Sequence, residues 1–140
     1  RYVKPHGALY NDAHRNRALA NVIIEAIRFV APGIAIVAPD HSQMAAAARE
    51  ANTPVIREAF ADRRYEPDGA LVSRKEAGSL LTVEEAAAQA ALLASEGVVI
   101  ARDGSHVPIA FDTICIHADM EHAVERLRAI RVAIQQSIAP

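Results

Sequence analysis

Tryptophan is absent from this 140-residue chain, cysteine occurs once, and all aromatic residues together make up 4%. One thiol, Cys115, cannot form an internal disulfide or build a cysteine zinc site, so the expected location is the cytoplasm. Scarce aromatics argue against a β-sandwich with an aromatic core. No charge of either sign dominates: 15 Lys and Arg against 17 Asp and Glu leave −2, which gives no basic field for nucleic acid or an anionic membrane. No apolar run approaches the ~20 residues of a membrane span, and no signal peptide is recognisable. Long polar tracts are lacking too, and 23% charged residues fit a folded chain. What is abundant is alanine, thirty in all, which points to helices packed closely on a sheet. The chain opens on Arg1 rather than Met, within strand-like residues, so an origin inside a longer protein is expected.

The pattern along the chain alternates strands with helices. Residues 1–4 read as the end of a strand, broken by Pro5 and Gly7. Leu19, Val22, Ile23, Ala26, Ile27 and Val30 recur at helical spacing, predicting one helix from an N-cap at Asn11 or Asp12 to Val30. Ile34–Val37 is a short apolar run, as in a strand buried on both faces. A helix over 42–51 and a strand over 55–60 follow. Residues 61–81 show little periodicity, and a loop of ~20 residues in a compact domain is usually functional. Thr82-Val83-Glu84-Glu85 is a capping box that opens a helix to about Ser95. A hairpin turning at Asp103-Gly104, a strand over 113–116 and a helix from about Asp119 to Gln136 complete the chain. Four strands alternating with four helices predict a parallel α/β fold and one domain over residues 1–140. The sheet is either open and doubly wound or part of a (β/α) barrel. A full barrel needs ~250 residues, and an isolated half would leave open edges that a homodimer could pair.

In both architectures ligands bind at the carboxyl ends of the strands. Those ends carry Lys4 and His6, Asp40 and His41, Glu58 with Asp62 and Arg63, and His117 with Asp119. The opposite ends carry Pro32-Gly33, Asn52-Thr53-Pro54 and Phe111-Asp112. Lys4 supplies a point charge and His6 a group that titrates near neutrality, or both are ordinary loop residues. Asp62 and Arg63 suit a catalytic carboxylate beside a bidentate anion binder, or an internal salt bridge that ties down the loop. His117 and Asp119 suit an acid–base pair or metal ligands, although Asp119 serves equally as the N-cap of the last helix, as Asp40 does for the helix over 42–51. The chain has no His-Glu-x-x-His, Cys-x-x-Cys, Gly-x-Gly-x-x-Gly, Walker loop or Gly-x-Ser-x-Gly.

Three segments carry a resemblance: Val3-Lys4-Pro5-His6-Gly7-Ala8-Leu9-Tyr10-Asn11, Glu58-Ala59-Phe60-Ala61-Asp62-Arg63-Arg64-Tyr65, and Cys115-Ile116-His117-Ala118-Asp119. In order and spacing, together with Gly69–Arg74, they resemble the LamB/YcsF family, the A subunits of prokaryotic 5-oxoprolinase. The resemblance covers essentially the whole chain. It implies the C-terminal part of an irregular (β/α) barrel of the glycoside hydrolase/deacetylase type. The implied activity is ATP-dependent opening of the lactam 5-oxo-L-proline to L-glutamate, with the B and C subunits of 5-oxoprolinase as partners. ATP is then a co-substrate, held by a component that the resemblance does not identify, and metal use is left open. For that chemistry Lys4, Arg63 and Asp119 would bind substrate, Lys4 and Arg63 by holding its anionic groups. Asp62 or His117 would activate water, and His6 would assist proton transfer. The family usually has His-Gly-Asp where this chain has His117-Ala118-Asp119, a strained turn if the glycine requires positive φ. Two other readings stand beside this one: a metal-dependent deacetylase or amidohydrolase using His117 and Asp119, and a non-catalytic component of such a complex.

Overall fold

Asn16 interrupts the stretch whose periodicity predicts one long helix. Its backbone is extended, at φ −112° and ψ 105°, and its side chain accepts a hydrogen bond from the Leu19 N–H at 3.1 Å. That is N-cap geometry, which satisfies a donor the new helix leaves free. Two helices result, α1 (Gly7–Arg15) and α2 (Arg17–Val30), and Asn11 and Asp12 lie inside α1 rather than capping it. The computed structural model that shows this describes residues 1–138. Two compact units make up the chain: Arg1–Glu58 with Phe111–Thr113, and Ala59–Ala110 with Ile114 onward.

In the first unit, β1 (Tyr2–Val3), β2 (Ala35–Ala38) and the start of β3 (Val55–Phe60) pair in parallel, with Tyr2 opposite Ala35 and Ile36 opposite Val55. Ser42 caps α3 (Gln43–Glu50) by accepting from the Ala45 N–H at 3.1 Å. Asp40, the other candidate cap, instead pairs with Arg49. Alanine does here what its abundance suggests. Ala13, Ala20, Ala45 and Ala48 are wholly buried and let helices approach Ile36, Ala38 and Ile24 closely. Arg57 and Asp112 staple the entry of β3: the guanidinium and N–H of Arg57 both donate to the carboxylate and hold its pKa at about 2.

His14 on α1 packs edge-on against Tyr10, its ring 3.9 Å from the Tyr10 ring. Burial, then the charges of Lys4 and Arg15, lower its pKa from 6.5 to about 4. The folded state therefore holds a neutral imidazole, while the unfolded state takes up a proton below 6.5. Stability is complete above that pH and falls as pH drops from 6.5 toward 4, by about 2 kcal/mol at pH 4.5. Urea unfolding at pH 7 and 4.5 measures this, and His14→Leu is expected to shrink the difference. An equal loss in the variant would assign the acid sensitivity elsewhere.

The second unit begins where β3 ends. Thr82 and Glu85 form the reciprocal capping box of α4 (Val83–Glu96), and Gly97 closes that helix at φ 69°, where a side chain would be strained. The hairpin β4 (Val98–Ile100) and β5 (His106–Pro108) is antiparallel, as the Asp-Gly turn implies. After β6 (Thr113–Cys115) the chain does not enter a helix at Asp119. α5 (Ala123–Ser137) starts four residues later with His122 at its N-cap, so Asp119 is free of a capping role. Ala61, Leu81, Ala86, Ala90 and Ile130 form the core of this unit.

The main sheet runs β1-β2-β3-β6. Asp112 N donates to Arg57 O, and Ala61 N to Cys115 O, so residue numbers rise together and β6 runs with β3. The expected parallel α/β fold of the (β/α) barrel-like kind is the one found. Among the described residues no helix is long and apolar enough to cross a membrane.

Candidate functional site

The unperiodic stretch after β3 is heavily tied down. The Tyr65 hydroxyl accepts from Phe60 N at 2.8 Å, Arg64 N donates to Ser79 O, and Leu81 N to Asp62 O. Arg64 also reaches Gly78 O and Glu85, and Arg102 pairs with Glu66 and Glu76. These bonds fix the backbone that presents Asp62.

Asp62 is 0% exposed, and His117 engages both oxygens of its carboxylate. Oδ2 accepts the His117 backbone N–H at 2.6 Å, while the His117 ring Nδ1 lies 3.0 Å from Oδ1 and 3.1 Å from Oδ2. Burial, the largest influence, would raise the Asp62 pKa. The ring and backbone hydrogen bonds from His117, with its charge, overcome that and leave it below 3.8. A carboxylate at Nδ1 selects the tautomer with the proton on that nitrogen and gives the lone pair to Nε2. The ring stacks on Phe60 at 5.7 Å and 13°, and the side chain is 23% exposed. The result is an imidazole with a fixed orientation, able to take a proton at Nε2 or to ligate a metal there.

A second cluster lies in the first unit. Glu58, 4% exposed, accepts from Lys4 Nζ at 2.5 Å on one carboxylate oxygen and from the Tyr10 hydroxyl at 2.5 Å on the other. Lys4 Nζ also stands 5.2 Å from the centre of the Tyr10 ring. Glu58 lies on β3 and Tyr10 on α1, while Lys4 follows directly on β1, so the ammonium is held at a defined point.

The remaining sequence candidates separate. Arg63 is 4% exposed and its Nη2 donates to Val72 O at 2.6 Å, a bond that ties the loop. Asp119 is exposed and pairs with Arg74 at 3.3 Å. His6 is exposed at the N-cap of α1, where its side chain makes no capping bond. Ala118 does not adopt positive φ, a conformation that among described non-glycine residues is confined to Asn52 and His122, so replacing glycine there costs no strain. Among the described residues no group of three or more His, Cys, Asp or Glu could hold a metal ion. Sequence reasoning marks Glu58 only as a strand-end charge and gives Tyr10 no role. An acidic residue in the second half of the strand Val55–Phe60, followed directly by Ala59 and Phe60, is the signal that singles out Glu58.

A parallel α/β fold with a carboxylate-oriented histidine at a strand end defines a class of enzyme-like domains rather than one protein. The particular family follows from comparison: residues 1–139 match the LamB/YcsF family, and the chain belongs to it. It is 46% identical over 138 residues to the 5-oxoprolinase A subunit numbered 3 of Pseudomonas syringae pv. tomato, covering 98% of this chain and 54% of the relative. It is 45% identical over 136 residues to the 5-oxoprolinase A subunit of Natranaerobius thermophilus, covering 96% and 53%. The crystal structure of a lactam utilization protein from Thermus thermophilus superposes with a TM-score of 0.88 at 41% identity, over 97% of this chain and 54% of that one. The chain therefore spans about half the length of the relatives it matches.

Proposed function

We propose that this chain is part of the A subunit of an ATP-dependent 5-oxoprolinase, a hydrolase that opens a cyclic amide and works with B and C subunits. The relatives named above support the reaction. The observation that carries a hydrolytic role for this chain is the pairing of His117 with the buried Asp62. Phosphoryl transfer from ATP to the lactam oxygen would remove the amide resonance. Water then adds at that carbon, the C–N bond breaks with a proton delivered to nitrogen to leave the γ-carboxyl as an acyl phosphate, and a second water cleaves that acyl phosphate, giving L-glutamate and phosphate. His117 Nε2 is the base for water and Asp62 its orienting partner, because both oxygens of Asp62 are already engaged. Lys4 is the cation for the substrate carboxylate or the phosphoryl group, and His6 assists the departing nitrogen. Arg63 serves the loop in this scheme, and Asp119 stands by as a further polar contact.

The test is glutamate release from 5-oxo-L-proline by the complete protein with its candidate B and C partners, omitting ATP and each component in turn. Release that needs all of them is the expected result. No release from folded, assembled components would overturn the reading. The Asp62–His117 pair also suits a metal-ligating histidine, the arrangement a deacetylase or amidohydrolase would use with ligands supplied from outside the described residues. Hydrolysis without ATP that a chelator abolishes would favour that second reading.

A further inference from the structure

The buried face of α4 consists of Ala86, Gln89, Ala90 and Leu93, and Gln89 is its polar member, 8% exposed. Its Nε2 donates to Phe60 O at 2.8 Å, Arg63 O at 2.9 Å and Ala61 O at 3.2 Å. An amide has two protons for these three acceptors, so one N–H is shared. In an extended strand successive carbonyls point to opposite sides. The carbonyls of Phe60 and Ala61 converge on one nitrogen instead, so the chain turns out of β3 at that point. Buried carbonyls turned off a ladder need another donor, and Gln89 supplies it for all three. Asp62 lies inside this clamp, between Ala61 and Arg63. Its own carbonyl accepts from Leu81 N at 3.1 Å, and its carboxylate is left to His117.

We propose that Gln89 is a positioning residue of the hydrolytic centre: by gathering the carbonyls of Phe60, Ala61 and Arg63 it sets the bend that aims Asp62 at His117. This rests on the reading of Asp62 and His117 given above. Gln89 acts on that pair through the backbone. Displacing a catalytic group by about 1 Å costs on the order of 100-fold in rate, so a loosened bend is expected to register in kcat before it registers in binding.

The test uses the complete protein in its assembled enzyme. Gln89→Met keeps the length of the side chain and removes the donors. The expected result is a folded variant whose kcat falls ~10–100-fold, with KM within about twofold of the parent. Imidazole ¹⁵N spectra of His117 are expected to show mixed tautomers in place of one Nδ1–H form. Leu93→Ala, on the same helix face, is expected to lower stability while leaving kcat and the tautomer unchanged, which separates positioning from packing. If Gln89→Met does not fold, Gln89→Asn, which withdraws the amide by one methylene, is read by the same criteria. Native kcat and a single tautomer in a folded Gln89 variant would overturn the proposal. So would the same losses in Leu93→Ala. Asp62→Asn tells the clamp from the pair it serves: if it too is silent, the Asp62–His117 reading falls, and if it is impaired while Gln89 is silent, only the clamp falls.

Discussion

His117→Gln, in the complete enzyme assembled with its partners, is expected to lower kcat by ~10²–10⁴-fold, the range a positioned general base supplies, with KM for the lactam little changed. Glutamine keeps a polar side chain of similar reach but has no atom that takes a proton near neutral pH. Asp62→Asn is expected to approach the same loss by a different route. The carboxylate accepts two donors at once, the His117 N–H and ring Nδ1. An amide offers one oxygen, so whichever donor meets the NH₂ group is repelled, and the ring loses either its tautomer or its orientation. Stability changes in step. Because the Asp62 pKa lies below 3.8 in the folded state, its contribution is complete above the ordinary carboxylate range and is lost as pH falls through the lowered value. Asp62→Asn therefore starts less stable at pH 7 and shows a shallower acid limb. Steady-state kinetics of both variants, with acid titrations followed by circular dichroism, check these points. An Asp62→Asn enzyme with full turnover would remove the dyad from the reaction.

How far these groups are legible in the sequence depends on the kind of physics that places them. Val55–Phe60 is readable to the residue, because a largely apolar run between Pro54 and a polar loop can do little else than form a buried strand. The capping box at Thr82 is readable because the signal is complete within four residues. The break at Asn16 is not, since residues 11–18 hold no Pro or Gly to end a helix and the break rests on one local hydrogen bond. Periodicity places the start of α5 four residues early for a related reason. Asp119 has the chemistry of a cap, but Arg74 engages it instead, and α5 begins only after His122 turns the chain at φ 58°. For the site, strand-end chemistry identifies Asp62 and His117 as candidates, yet their partnership spans 55 residues and rests on pairing along β6 that no local pattern encodes. Gln89 is invisible as a functional residue for the same reason, although a lone polar side chain at the buried i, i+3 position of an alanine-rich helix is a signal worth weighing.

Lys4→Met is expected to cost more stability than Glu58→Gln, and the double variant to recover most of the loss. The asymmetry follows from burial. Removing the ammonium leaves Glu58, 4% exposed, with a carboxylate supported by the Tyr10 hydroxyl. Stranding a buried charge costs ~3–5 kcal/mol, and the 28% exposure of the Lys4 side chain brings the expected figure down to roughly 2–3 kcal/mol. Removing the carboxylate instead leaves Lys4, which can turn toward water, at about 1 kcal/mol. With both charges gone nothing is stranded, so a coupling of roughly 2–3 kcal/mol is expected in the cycle. Activity should not follow the same pattern, and that divergence tests the binding role. If the ammonium holds an anionic group of the substrate, Lys4→Met raises KM ~10-fold or more. Glu58→Gln raises it less, by letting the ammonium wander. The double variant regains stability while KM stays as high as in Lys4→Met, because packing is restored and the cation is not. Urea unfolding and saturation kinetics on the four proteins separate the two quantities. A KM that recovers with stability would make the Lys4–Glu58–Tyr10 cluster a structural staple and assign the substrate's anion to another cation.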